Sequence, residues 1–101
     1  MLGSVEMIEV EVFQIMHIKV TKNHIKNGER TSPNYCPVAL AIREQIENSS
    51  CVEVCDELQP VISFFRDDEL ISLEAPDEVF EFVQAFDTRK RVKPFSFELS
   101  I

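Results

Sequence analysis

Two residues of this chain could act as a nucleophile and a base. Cys36 stands directly before Pro37 and a compact apolar run, a pattern typical of a helix that begins at the proline. Its sulfur would then lie near free backbone N–H groups, which lower the pKa of a thiol. His24, about one loop earlier, is the candidate base for a thiolate–imidazole pair. Because no third residue that would orient His24 is identifiable, we expect a non-enzymatic protein. Cys36 and His24 are the catalytic candidates of the less favoured, enzymatic alternative.

A second group of polar residues precedes the same helix. The loop 29–35 contains a cation, hydroxyl groups, an amide and an aromatic ring. Since helix N-termini bind anions through free N–H groups, this combination suits a nucleotide phosphate and base. The alternative is an ordinary solvated loop. The candidate ligand-binding residues are Lys26, Arg30, Thr31, Ser32, Tyr35, Cys36 and Arg43, with the N–H groups around Cys36 to Val38.

The three cysteines do not predict a metal site. Cys51 and Cys55 on one strand would lie about 13 Å apart, whereas a disulfide needs Cα atoms within about 7 Å and zinc needs sulfurs about 2.3 Å from the metal. Only a tight turn at Glu53 would bring them together. We therefore expect reduced thiols, no metal site and no cofactor.

Charge is strongly segregated along the 101 residues, whose net charge is −8. Residues 44–87 contain thirteen carboxylates with Arg66 as their only cation, whereas residues 17–43 and 88–93 are basic. The negative net charge disfavours direct binding of nucleic acid, which requires a dominant positive field. Two alternatives are compatible with this charge pattern: a local basic site that binds a compact anion, and an acidic face that binds a basic partner. The cations 89–93 either bind an anion or complement the C-terminal end of a preceding helix, and we favour the second because they follow its last turn directly.

The length predicts one domain. No apolar run approaches the roughly 18 residues that span a bilayer, and the N-terminus lacks the features of a secretory signal. We therefore expect a cytoplasmic protein without membrane contact.

Hydrophobic periodicity predicts an α+β fold with a small antiparallel or mixed sheet and helices packed on one face. The predicted elements are a strand within 8–20, a helical turn 22–27 between Thr21 and Gly28, a helix 37–47, a strand 51–58, a hairpin 61–65/70–74 with the four-residue loop 66–69, a helix 77–87 and a strand 95–101. The order is β-α-α-β-β-β-α-β.

Residues 1–15 are interpreted as an N-terminal extension to a single domain of residues 16–101. Ile8, Val10 and Val12 alternate with Glu9 and Glu11, so the segment is predicted to form an edge or exchanged strand with one apolar face. Pairing with a second copy would bury that face and satisfy its open backbone groups. We therefore expect a homodimer or higher oligomer.

Five short segments also suggest a family. They are His17-Ile18-Lys19-Val20-Thr21, His24-Ile25-x-x-Gly28, Cys36-Pro37-Val38-Ala39-Leu40-Ala41, Phe82-x-x-x-Phe86-Asp87 and Val92-x-Pro94-Phe95-x-Phe97-x-Leu99. Over residues 16–100 the chain resembles a group of small proteins common in bacteriophages and prophages. The resemblance implies an accessory protein that binds and disables a host component.

Together these observations predict a non-enzymatic, phage-type binding protein that antagonises a host defence factor in the host cytoplasm. In the leading hypothesis it sequesters a small anionic, nucleotide-like ligand. In the alternative, the acidic residues 44–87 make it an inhibitor that occupies the nucleic-acid-binding groove of a host protein.

Overall fold

The computed structural model describes residues 14–55 and 60–101. Its elements are β1 (Ile15–Val20), α1 (Lys22–Asn27), α2 (Pro37–Gln45), β2 (Ser49–Cys55), β3 (Val61–Arg66), β4 (Glu69–Glu74), α3 (Asp77–Asp87) and β5 (Phe95–Ser100). The predicted α+β class and element order are confirmed. Residues 1–13 of the predicted extension and residues 56–58 of the predicted strand 51–58 lie outside the described residues.

The described strands form two antiparallel sheets, whereas the sequence predicted one. β1 pairs with β5, from Ile15 opposite Ser100 to Val20 opposite Phe95, and β2, β3 and β4 form the second sheet in that order. The period-two alternation holds in the first sheet, since Ile18, Val20 and Phe97 are buried. Helix α2 contacts both β1 and β2, and it therefore connects the two sheets across one hydrophobic core.

Helix α3 has the bounds that its apolar spacing predicts. Val79, Phe82, Val83 and Phe86 recur at intervals of three and four residues and are all buried, as expected for one face of a helix. The ring centroids of Phe82 and Phe95 are 4.6 Å apart. This contact packs the middle of α3 against the start of β5.

Gly28 ends α1 as predicted, although its backbone does not require glycine. Its φ of −73° is accessible to any residue. A Cβ atom at this position would, however, lie 2.5 Å from Cδ of Pro37. Glycine is thus needed because the end of α1 approaches the start of α2 closely.

The hairpin loop is shorter than the sequence predicts. β3 extends to Arg66 and β4 starts at Glu69, and these two residues are paired. The turn therefore consists of Asp67 and Asp68, both with positive φ, at 51° and 67°. Two left-handed residues are the mark of a type I′ turn, whose twist matches that of the strands. Helix α2 is likewise two residues shorter than predicted, because Ile46 leaves the helical conformation.

Candidate functional site

The C-terminal end of α3 is a Schellman turn. The N–H of Lys90 donates to the carbonyl of Ala85 at 2.8 Å, and the N–H of Arg89 donates to the carbonyl of Phe86 at 3.1 Å. These are the two hydrogen bonds of that motif, which requires a left-handed residue after the helix cap. Arg89 occupies the position with φ 64°, where glycine is usual. The basic residues 89–93, which we call the basic run, thus follow the helix after a sharp turn.

The loop after α1 is attached to the same helix end. Arg30 Nε donates to the Phe86 carbonyl at 3.2 Å, and its guanidinium lies 5.1 Å from the centroid of the Phe86 ring. The next residue, Thr31, donates its N–H to Asp87 Oδ1 at 2.9 Å. Each hydrogen bond joins residues 56 positions apart. Two basic segments that are distant in sequence therefore meet.

A cavity of about 490 Å³ lies where these segments meet, and we call it the basic cavity. Its lining residues are Ile25, Lys26, Gly28, Arg30, Phe86, Arg89, Lys90, Arg91 and Val92. Five of the ten lysines and arginines of the chain line this one cavity, and no carboxylate does. An acidic chain thus has a concentrated positive potential at a single concave surface.

The cations of the basic cavity are not neutralised by the described part of the chain. The two ion pairs within residues 14–55 and 60–101 both involve histidine, as His17 with Glu98 at 3.4 Å and His24 with Glu44 at 3.1 Å. No carboxylate of those residues therefore lies within 4.0 Å of a lysine or arginine nitrogen. Crowded cations without counter-charges attract an anion and can bind it by charge-assisted hydrogen bonds.

A second cavity of about 300 Å³ is lined in part by Thr31 and Asp87, the residues that follow Arg30 and Phe86 in the chain, and we call it the polar cavity. Its lining residues are Thr31, Ser32, Pro33, Val54, Val83, Asp87 and Thr88. Arg30 and Phe86 line the basic cavity, while their chain neighbours Thr31 and Asp87 line the polar cavity. The paired contacts Arg30–Phe86 and Thr31–Asp87 therefore form a wall common to both.

The seven ligand-binding residues predicted from the sequence do not form one site. Lys26 and Arg30 line the basic cavity, and Thr31 and Ser32 line the polar cavity. Arg43 lies in neither, because its Nη2 donates to the Asn34 carbonyl at 2.8 Å and its guanidinium lies 5.3 Å from the Tyr35 ring centroid. Tyr35 lines neither cavity and is exposed, and Cys36 is buried.

Three cations of the basic cavity, Arg89, Lys90 and Arg91, were not among the predicted ligand-binding residues. The sequence analysis considered anion binding for them but favoured a role at the negative end of the α3 dipole. In the structure Arg30 is the cation that binds a terminal carbonyl of α3, while the Schellman turn carries the basic run to the cavity. The signal in the sequence was the separation of charge, since both basic segments contribute cations to the basic cavity.

The expectation that Cys36 has a lowered pKa is wrong. Cys36 is the N-cap of α2 as predicted, and its Sγ accepts from the N–H of Ala39 at 3.5 Å. Burial nevertheless raises the pKa of the thiol, because desolvation outweighs the N–H groups of Ala39 and Val38. The N–H of Cys36 itself donates to the Ser32 carbonyl. The start of α2 therefore directs these donors at the protein, not at a ligand.

His24 has a structural role in the described chain. Its Nδ1 accepts from the N–H of Thr21 at 2.9 Å in a capping box, so Nε2 carries the proton of the neutral ring. Nε2 lies 3.1 Å from Glu44 Oε1. Both ring nitrogens are thus engaged within the protein, and neither is paired with Cys36.

The described residues offer no alternative metal centre. Cys36 and Cys51 form no disulfide, and within that part of the chain no three His, Cys, Asp or Glu side chains are grouped to hold a metal ion. None of the helices in the described residues is long and apolar enough to cross a membrane.

Comparison with known proteins gives no further identification. No protein-family model, curated protein or solved structure matches this chain. The resemblance to small phage proteins stays a prediction.

Proposed function

We propose that this chain binds a small phosphate-bearing anion in the basic cavity. The observation that supports the proposal is the gathering of five of its ten lysines and arginines around one cavity without a carboxylate. A volume of about 490 Å³ is within the range of small-molecule sites. A compact anion fits this arrangement better than a nucleic acid, because the net charge of −8 repels an extended phosphate backbone.

The fixed orientation of the Arg30 guanidinium favours the binding of a phosphoryl group. Its Nε donates to the Phe86 carbonyl, and the face of its guanidinium lies on the Phe86 ring. The two Nη groups make no hydrogen bond within residues 14–55 and 60–101. A guanidinium held in this way has lost most of its conformational entropy before a ligand binds. Its planar donors match two phosphate oxygens.

The biological role that we propose is sequestration. The two catalytic candidates, Cys36 and His24, have structural contacts, and the cavity cations provide binding without an obvious nucleophile. Sequestration requires binding alone, which the cavity cations can provide, and the resemblance to phage accessory proteins supports a protein that removes a host nucleotide-type signal from solution. This is the leading hypothesis from the sequence, with Lys26 and Arg30 retained and Arg89, Lys90 and Arg91 added as binding residues.

Calorimetry with pyrophosphate tests the binding step. We expect Arg91→Ala to weaken pyrophosphate affinity by about tenfold, the scale of a lost charged hydrogen bond. Lys93→Ala is the matched control, since it removes a cation from the same run but not from the cavity lining. Its affinity should fall by less than about twofold at 0.15 M salt, where exposed charges are screened over roughly 8 Å. Absence of binding, or equal losses in both variants, would contradict a built site.

A further inference from the structure

We propose that the polar cavity holds the uncharged, hydroxyl- or amine-bearing end of the same ligand, with Asp87 as the specificity-determining residue. The ligand class is then a nucleoside phosphate rather than a bare phosphate. This inference rests on the proposed anion binding in the basic cavity.

The two cavities have complementary linings on either side of one wall. The basic cavity contains cations and no carboxylate, whereas the polar cavity contains the Asp87 carboxylate and no cation. A phosphate is attracted to the first cavity and repelled from the second. A molecule that crosses the wall must therefore be anionic at one end and uncharged at the other.

The polar cavity has the chemistry to bind a sugar or base. Asp87 uses Oδ1 to accept from Thr31 and has no cationic partner within the described residues. Because an ionised carboxylate only accepts hydrogen bonds, Asp87 selects ligand groups that donate, namely hydroxyls and amines. Val54, Val83 and Pro33 add an apolar surface to the same cavity, as a sugar face or a base ring requires.

The wall between the cavities is held in place at an energetic cost. Thr31 has φ 54°, and a positive φ is a clear outlier for a β-branched residue such as threonine. Strained residues of this kind persist where surrounding contacts determine them, and they cluster at ligand sites. Here the hydrogen bond from Thr31 to Asp87 holds the strained loop, so Asp87 both builds the wall and lines the polar cavity.

Asp87→Asn separates these two roles, because an asparagine Oδ1 can still accept from Thr31 while the charge is lost. The probes are pyrophosphate and the four common nucleoside diphosphates, titrated by calorimetry. We expect the natural protein to bind at least one nucleoside diphosphate more tightly than pyrophosphate. In Asp87→Asn that affinity should fall about tenfold, whereas pyrophosphate affinity should stay equal or rise, because a nearby negative charge is gone. Glu81→Gln, an exposed carboxylate on the same helix and outside both cavities, should change neither.

The outcomes distinguish the two proposals. Pyrophosphate binding with no preference for any nucleoside diphosphate, or with equal changes for both probes in Asp87→Asn, overturns the inference and leaves the anion site standing. No binding of any probe to the natural protein overturns both. Unchanged thermal unfolding of Asp87→Asn confirms that the wall has kept its structure.

Discussion

Arg89 combines an unfavourable backbone conformation with a place in the basic cavity. It occupies the left-handed position of the Schellman turn, where a side chain costs about 1–2 kcal/mol. A glycine would satisfy the turn equally well. The presence of an arginine is explained if its charge is needed in the cavity.

Arg89→Gly should therefore change stability and binding in opposite directions. We expect the free energy of unfolding to rise by about 1 kcal/mol and pyrophosphate affinity to fall several-fold. Urea denaturation and calorimetry measure the two quantities. Lys90→Gly is the control, because the φ of Lys90 is not positive: it should weaken binding but lower stability by roughly 0.5–1 kcal/mol. A destabilised Arg89→Gly, or one with unchanged affinity, would contradict this role for Arg89.

Cys36 provides a second prediction for single residues. Because burial raises the pKa of its thiol, less of the reactive thiolate is present at neutral pH than in an ordinary cysteine, and its alkylation should require a higher pH. At pH 7 we expect iodoacetamide to label Cys36 more slowly than the exposed Cys51. Mass spectrometry of the peptides measures the two labelling rates. In denaturant the two rates should converge. Faster labelling of Cys36 in the folded protein would restore the nucleophile hypothesis.

The elements could be predicted from the sequence where the signal is local. The spacing of Val79, Phe82 and Phe86 gave the bounds of α3, and Thr21 and Gly28 gave those of α1. The hairpin was predicted in the right place, but its loop was predicted two residues too long because Asp67 and Asp68 adopt a type I′ conformation without glycine. The division into two sheets was missed because pairing such as Ile15 with Ser100 is not encoded in any short window.

The candidate site was only partly predictable for the same reason. Lys26 and Arg30 were selected because they belong to a basic segment before a helix. Their partners across the cavity, Arg89 to Arg91, come close only through the Schellman turn and the hydrogen bonds of Arg30 and Thr31 to α3. Contacts between residues 56 positions apart leave no mark in local periodicity.

Gly28→Ala tests the packing of α1 against α2. The new Cβ would lie 2.5 Å from a ring carbon of Pro37, and a proline ring cannot move aside as a flexible side chain can. We expect the free energy of unfolding to fall by about 1–3 kcal/mol, the usual cost of overpacking, in urea denaturation. Asn27→Ala, at the exposed neighbouring position, should change it by no more than about 0.5 kcal/mol. Equal stability of the two variants would show that Gly28 does not approach the Pro37 ring this closely.

In the molecule as a whole, the separation of charge along the sequence becomes a separation in space. Of the thirteen carboxylates of residues 44–87, the eleven within the described residues lie on several elements, including α2, the hairpin turn and the first turn of α3. Glu44 and Asp87 already bind other residues of the described chain. Half of the cations, by contrast, line one cavity. This contrast favours a ligand at the basic cavity over a protein partner on an acidic face, and it is the central claim of the account.

A pyrophosphate titration followed by amide NMR shifts tests that claim most directly. The account predicts saturable shifts concentrated in residues 25–30 and 86–92, with the hairpin turn at Asp67 and Asp68 unaffected. It also predicts small shifts for the amides of Cys36 and Val38, which the sequence analysis had included among the groups that contact the anion. Shifts centred on the start of α2, or the absence of any saturable shift, would contradict binding in the basic cavity.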